Sequence, residues 1–587
     1  MRLIRLALAC LALCAAVCAQ AQADPQATAA VRAMFDAQWE AVTKRFPEWA
    51  TERGDLRYND QVTDQSLAAE AAWDAQDREW LAKARAMPRE KLSPEDRLSL
   101  DLFIYSLELA VAEQAFPGYR TLRMGALGGM HSRLSGFMRA VPVQSPLQVQ
   151  QLLTRLSKYP KTIDDEIERL RRGMALGWVS SKDVLDRVLD QIDKQLPADV
   201  ESGPFFDPFK RLGPDIPAAE RARLQAAGRA AIEANVIPPM RKLRSFVADE
   251  YLRRAPANGA LHVYPDGRRV YEMMVRQGTT TNLTSTQIHA IGMRELASIR
   301  AEMEGVMRHT NFQGSFAQFI EFLNTDPKFF YTGPDALLAG YRELAKRIDA
   351  EMPRFFAELP RMPYGVRPMP AFQGPDSAEY YNQPAEDGSR PGYFNANVLG
   401  FRNRPMWRMA TLTAHEAVPG HHMQIARATE LKSLPQFRRH DGYNAFAEGW
   451  AVYAETLGRE FGLYDDPYSL FGHLQWRAFR AARLVVDTGM HSLGWSRQQS
   501  IEFMVERTGM DRAFVTSEVD RYTSQPGQAL GYMIGALKIA ELRERAKARL
   551  GEKFSVRRFH NAVIDQGSLP LDVLEKSIDE WVARESR

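Results

Sequence analysis

The octet His415-Glu416-Ala417-Val418-Pro419-Gly420-His421-His422 concentrates side chains that bind metals and move protons. Two imidazoles can share one divalent ion, and a carboxylate beside the first can take a proton from water that the ion activates. In the regular helical arrangement the two histidines stand four residues apart on one face. Here the fourth residue is Pro419, and histidines follow at the sixth and seventh positions. On an unbroken helix His415 and His421 would lie about 9 Å apart along the axis and about 120° apart around it, too far for one ion. Pro419, however, has no N–H for the carbonyl of residue 415, and its ring crowds that carbonyl. Gly420 tolerates backbone angles that other residues avoid. A two-residue bulge at Pro419-Gly420 would bring His421 to the ordinary second position. The expectation is therefore geometric: the helix is distorted between Glu416 and His421.

Zinc held by two histidines commonly takes a carboxylate as third ligand and leaves a position open. Glu448 opens the run Glu448-Gly-Trp-Ala-Val-Tyr-Ala-Glu455, an apolar helical pattern carrying two carboxylates seven residues apart. A carboxylate in such a helix is costly unless it meets a cation. Glu448 is expected to be the third ligand, and Glu455, two turns on, to orient a ligand histidine from behind.

The elements that must position these residues read as mostly helical. Helical spacing runs from Thr28 to about Val111, from Ser145 to Leu176 with an interruption at Pro160, and to about Tyr251 after a proline-rich break at 204–217. Gly118 to Gly136 reads as irregular. Thr284 and Gln287 form a capping box that opens a helix to about Met307. Pro360 to Pro391 reads as an extended loop, and Tyr393 to Val398 as a short strand. From Arg408 the pattern is helical nearly to Arg587. Arg477 and Arg480 read as a solvated basic face.

The 587 residues carry 76 basic and 73 acidic side chains, a net charge of +3, which argues against a dedicated nucleic-acid binder. Arg2 and Arg5, the apolar stretch Leu6–Ala19 and Ala21-Gln22-Ala23 have the form of a signal peptide cleaved near Ala23. The three cysteines all lie within it, so the mature chain has none and any metal must be held by His, Asp or Glu. The expected division is a signal peptide over 1–23, an N-terminal helical region over 24–370 and a catalytic helical region over 371–587. The mature chain is expected to be secreted, to lie in the periplasm, and not to insert in a membrane; its oligomeric state stays open.

Four ordered blocks carry a resemblance: His415 to Gln424, Glu448-Gly-Trp-Ala, Val486-Asp-Thr-Gly-Met-His491, and Pro526-Gly-Gln-Ala-Leu-Gly-Tyr532. They resemble the signature blocks of the bacterial domain-of-unknown-function family numbered 885, over most of the mature chain. That family is similar to gluzincin zinc metallopeptidases, whose third ligand is a Glu on a following helix. The resemblance implies a mainly α, two-lobed zincin-like fold with a few short strands and a deep central channel. It implies one zinc ion per chain, held by His415, His421 and Glu448, with His421 favoured over His422. Glu416 would be the general base, and His491 and Tyr532 would steady the developing oxyanion. Asp487 would orient His491. Peptide substrate would meet Tyr393 and Asn395 on an edge strand, Arg483 and Gln528. The activity implied is hydrolysis of short peptides. The alternatives are an amidohydrolase acting on a non-peptide or cell-wall amide, or a peptide-binding protein without catalysis.

Overall fold

The structure is a computed structural model describing residues 23–587, except 126–127, 371–374, 376–377, 386–387, 389 and 441. The signal peptide read at the N-terminus thus lies outside the described residues apart from Ala23. The described chain is mainly helical, with two small sheets. Among the described residues no helix is long and apolar enough to cross a membrane.

Helix boundaries follow the capping chemistry. Thr284 and Gln287 exchange the reciprocal bonds of a capping box at the head of Ser285–His309. The interruption near Pro160 is a break between Pro146–Ser157 and Tyr159–Ala175, with the proline in the first turn of the second helix, where its missing N–H costs nothing. The segment read as irregular over 118–136 ends in a helix, Met130–Ala140.

Two large apolar cores organise the molecule. One draws on residues 124–251, with Leu156, Ile163 and Phe209 inside it. The other joins helices from the start of the chain (Val31, Phe35, Phe103) to the C-terminal helices (Trp450, Leu484, Ile539, Leu574). The elements around the candidate site are α1 (Gly267–Thr279), α2 (Ser285–His309), α3 (Pro334–Phe355), α4 (Met406–Glu416), α5 (His421–Glu430), α6 (Asn444–Leu457), α7 (Pro467–His491) and α8 (Leu530–Leu550). Helix α7 is buried almost all round from Phe471 onward, its charged side chains Arg480, Arg483 and Asp487 included, each of which meets a partner inside the fold.

The region read as a loop over 360–391 contains two strands, β1 (Tyr364–Pro368) and β2 (Tyr380–Asn382), which join β3 (Gly392–Ala396) in a three-stranded sheet. Strand β3 is central. It runs parallel to β1, from Tyr364↔Gly392 to Pro368↔Ala396, and antiparallel to β2, with Tyr381↔Phe394. The sequence expectation of a substrate-binding edge strand at Tyr393 is thereby corrected: both edges of β3 are already paired, so it has no free ladder for an added strand.

Candidate metal centre

Helix α4 stops at Glu416, and α5 starts at His421. Between them the chain turns, with Ala417 at φ −97°, ψ −122° and Gly420 at φ −77°, ψ −127°. The His422 N–H returns to the Ala417 carbonyl at 3.0 Å and the Trp450 indole donates to the Pro419 carbonyl at 2.9 Å, so the break is held from α6 as well. A side chain at Gly420 would place its Cβ 1.9 Å from the His415 carbonyl oxygen, so the close return of the chain requires glycine. The distortion expected between Glu416 and His421 is present.

Its consequence is that His421 folds back onto His415. Their rings lie edge to face with centroids 4.7 Å apart. Glu448 comes up from α6, with Oε2 at 3.6 Å from His415 Nε2 and 3.5 Å from His421 Nε2. One ligand atom from each residue lies within 4.8 Å of the other two. Ligand atoms about 2.0–2.1 Å from a tetrahedral zinc stand about 3.3–3.4 Å apart, so the spacing suits that ion. Glu448 Oε2 is buried and has no hydrogen-bond donor among the described residues. Two nitrogens and an orphaned carboxylate oxygen converging on one point form a donor set that fits zinc.

Behind His415, Glu455 Oε1 accepts a hydrogen bond from Nδ1–H at 2.8 Å, and in that tautomer Nε2 turns its lone pair toward Glu448. The expected orienting partner is therefore in place. His422 goes the other way: its Nδ1 meets the Tyr381 hydroxyl at 2.8 Å and its ring packs against Tyr364. Burial pushes the His422 pKa down to about 4.

Glu416 is 7% exposed and its carboxylate makes no hydrogen bond with any described residue. Burial pushes its pKa up to about 8; His421 and Arg480 pull it down, while Glu448 and Glu379 add to the rise. A carboxyl titrating near neutrality can both accept and return a proton. Tyr532 stands beside the donor set, its ring parallel to that of His415 with centroids 6.5 Å apart. Glycines bring Tyr532 there. Helices α6 and α8 cross backbone to backbone at Gly449 and Gly535, where a Cβ on Gly449 would sit 2.4 Å from Gly535 Cα. Glu448 and Tyr532 flank that crossing, so the same contact sets both.

Further expectations are corrected. His491 is fully buried away from the donor set, its Nδ1 accepting from the Leu261 N–H and its Nε2 donating to the Tyr522 carbonyl, both at 3.0 Å. With both ring nitrogens committed to backbone it has no proton to offer an oxyanion. Asp487 does not touch it; that carboxylate accepts from the Tyr271 hydroxyl at 2.5 Å and the Gly527 N–H at 3.0 Å. Asn395 is fully buried, its side chain bonded to Arg367, Asn382 and the Tyr380 carbonyl, and so serves the sheet. Gln528 has one end on Arg521 and the other on Asn444, and Tyr393 carries the Arg367 guanidinium 4.0 Å above its ring. Arg483 binds Glu518 at 2.7 Å and lies 4.3 Å over the Tyr532 ring, so it supports the tyrosine where a substrate contact was expected.

The reading of Arg480 as part of a solvated basic face is corrected as well. It is 5% exposed, lies 3.7 Å from Glu455 Oε1 and 4.9 Å over the Tyr532 ring. The signal was available: Ala478-Phe479-Arg480-Ala481-Ala482 is an apolar stretch in which an arginine needs a buried anion.

A family match runs over residues 47–578. The chain belongs to the family described as bacterial protein of unknown function, DUF885. A crystal structure described as the "putative lipoprotein from Colwellia psychrerythraea" is 28% identical, covers 95% of this chain and 99% of its own, and superposes with a TM-score of 0.89. A second, described as a "putative lipoprotein of unknown function from Shewanella oneidensis", is 18% identical, covers 92% of this chain and 98% of its own, with a TM-score of 0.70, and shares the fold. No curated protein matches the sequence. The lipoprotein descriptions of these relatives fit an exported protein.

Proposed function

We propose that the protein is an exported zinc-dependent peptidase that hydrolyses short peptides. The observation that carries this reading is the convergence of His415, His421 and Glu448 beside an unpartnered Glu416. His415 and His421 would hold the ion through Nε2 and Glu448 through Oε2. Zinc in that place supplies a Lewis acid that polarises a carbonyl and acidifies water. Glu416 takes the proton of the attacking water and returns it to the leaving amine. The Tyr532 hydroxyl, which has no hydrogen bond to any described residue, donates to the oxyanion as it forms. Glu455 keeps His415 in the Nδ1–H tautomer, and Arg480 neutralises Glu455.

The test is metal analysis of the purified protein beside Glu416→Gln on a mixed peptide library. The expected result is one equivalent of zinc in both, with cleavage in the parent alone. Failure to retain zinc after reconstitution would overturn the reading. Turnover of non-peptide amides in place of peptides would make the protein an amidohydrolase using the same residues.

A further inference from the structure

A cavity of about 1070 Å³ runs along α4 on the N-terminal side of the metal donors, and Arg408, Met409 and Leu412 of that helix line it. Arg408, Leu412, His415 and Glu416 fall at i, i+4, i+7 and i+8, which is one stripe of the helix. Leu412 is one turn from Glu416, so the cavity wall ends one helical turn from the proposed site. Glu379, which also lines the cavity, is one of the carboxylates that raise the pKa of Glu416.

Arg402 and Arg408 of this wall have no carboxylate partner among the described residues, and of the two only Arg408 is withdrawn from solvent. Arg404 is paired with Glu379 and Arg300 with Glu304. Arg408 has no carboxylate within ion-pair distance among the described residues. Its Nη2 donates to Asn324 Oδ1 at 3.1 Å, its guanidinium lies 4.5 Å over the Trp407 ring, and its buried Nε has no partner. A half-buried guanidinium without an anion leaves the fork that suits a carboxylate unfilled. Asn324 points its carbonyl at Arg408, which leaves its amide N–H groups free to donate to the same anion. Phe316, Ile320, Trp476 and Phe514 supply apolar wall, and the carboxylates that also line the cavity are engaged, Glu304 with Arg300, Glu379 with Arg404, Glu506 with Arg507, and Asp511 with the Phe514 N–H.

Resting on the peptidase reading, we infer that Arg408, with Asn324, is the receptor for a carboxylate of the substrate peptide. The seven residues from Arg408 to His415 span about 10 Å of helix. An extended peptide covers that distance in about three residues. The anion is thus carried about three residues from the bond to be cut. Two sources share this chemistry, the C-terminal α-carboxylate and an Asp or Glu side chain.

The experiment measures binding to the zinc-loaded Glu416→Gln protein, so that it reads recognition without turnover. The probes are a series of apolar peptides made as the free acid and as the C-terminal amide, and a second series with Glu or Gln at one internal position. The expected result is at least about tenfold tighter binding of one acidic series over its neutral counterpart. That preference should disappear in Arg408→Gln and return in part in Arg408→Lys. An acid-over-amide preference identifies the C-terminus as the source, and a Glu-over-Gln preference at fixed spacing identifies a side chain. Equal binding of charged and neutral peptides by the parent overturns the inference, whatever the variants do. Equal binding alongside zinc-dependent cleavage would leave the peptidase reading standing, whereas absence of zinc would remove that reading first.

Discussion

His421 and His422 are adjacent in sequence and opposite in role. The break after Glu416 turns His421 toward Glu448 and sends His422 into the aromatic pair Tyr364 and Tyr381. His421→Ala is therefore expected to lose bound zinc, and His422→Ala to keep it; metal content of the two purified variants decides between them. Removing an orienting partner is milder. Glu455→Gln should weaken zinc binding by about 10–100-fold, as loss of an outer-shell carboxylate does elsewhere, read by competition with a chelator. Tyr532→Phe should lower kcat by about 10²–10³-fold with zinc retained, the usual cost of one oxyanion donor. Loss of zinc along with the rate would show that the tyrosine shapes the donor set and is not a donor to substrate.

The crossing of α6 and α8 is an element-scale device. Glycine at 449 and 535 lets the two backbones touch, and Glu448 and Tyr532 are carried in by the two helices. A Cβ on Gly535 would fall 1.9 Å from the Ala445 carbonyl, a backbone atom that cannot step aside. Gly535→Ala should cost about 1–3 kcal/mol or more, as overpacking does, and should reduce zinc content and activity together. Gly333→Ala is the control, since a Cβ there meets nothing within 4 Å. A Gly535→Ala protein with unchanged melting temperature and full activity would sink the account. Helix α7 shows how the same scale misled the sequence reading. Arg483, Asp487 and His491 do share a face, but that face packs against α1, the Leu261 backbone and the helix bearing Tyr522, and so it knits the core together.

At the scale of the molecule, His491 bridges segments far apart in the chain, Leu261 and Tyr522, through its two ring nitrogens. Burial lowers its pKa to about 4, against about 6.5 in an unfolded chain. Between those values the unfolded state binds more protons than the native state, so this group's contribution to stability is complete above about 6.5 and is lost as pH falls toward 4. His491→Gln removes that dependence. The variant should be less stable than the parent at pH 7, and the gap should shrink by up to about 1.4 kcal/mol per pH unit between about 6.5 and 4. Denaturant melts of both proteins across that range measure it. A gap independent of pH would mean that the imidazole is not held neutral in the fold.

The local chemistry of the site was legible in the sequence because it depends on short-range covalent facts. Proline without an N–H at position 419, glycine beside it, and a carboxylate in an apolar helix at 448 state which groups could share a metal and why the helix must break. Capping at Thr284 was legible for the same reason. The partners across space were not. Spacing on α7 places Asp487 four residues before His491 but cannot say that Tyr271 and Gly527 claim the aspartate first. The strand at 393 could be read, but whether it had a free edge depended on β1 and β2, which lie in a proline-rich stretch with no clear alternation. Arg480 reads as one more basic residue until packing removes it from water and leaves Glu455 and Tyr532 as its neighbours. Residue type and spacing decide which atoms could do chemistry; the tertiary structure decides which of them are left without a competing partner, because in a packed interior every buried donor and acceptor is claimed by whatever lies nearest.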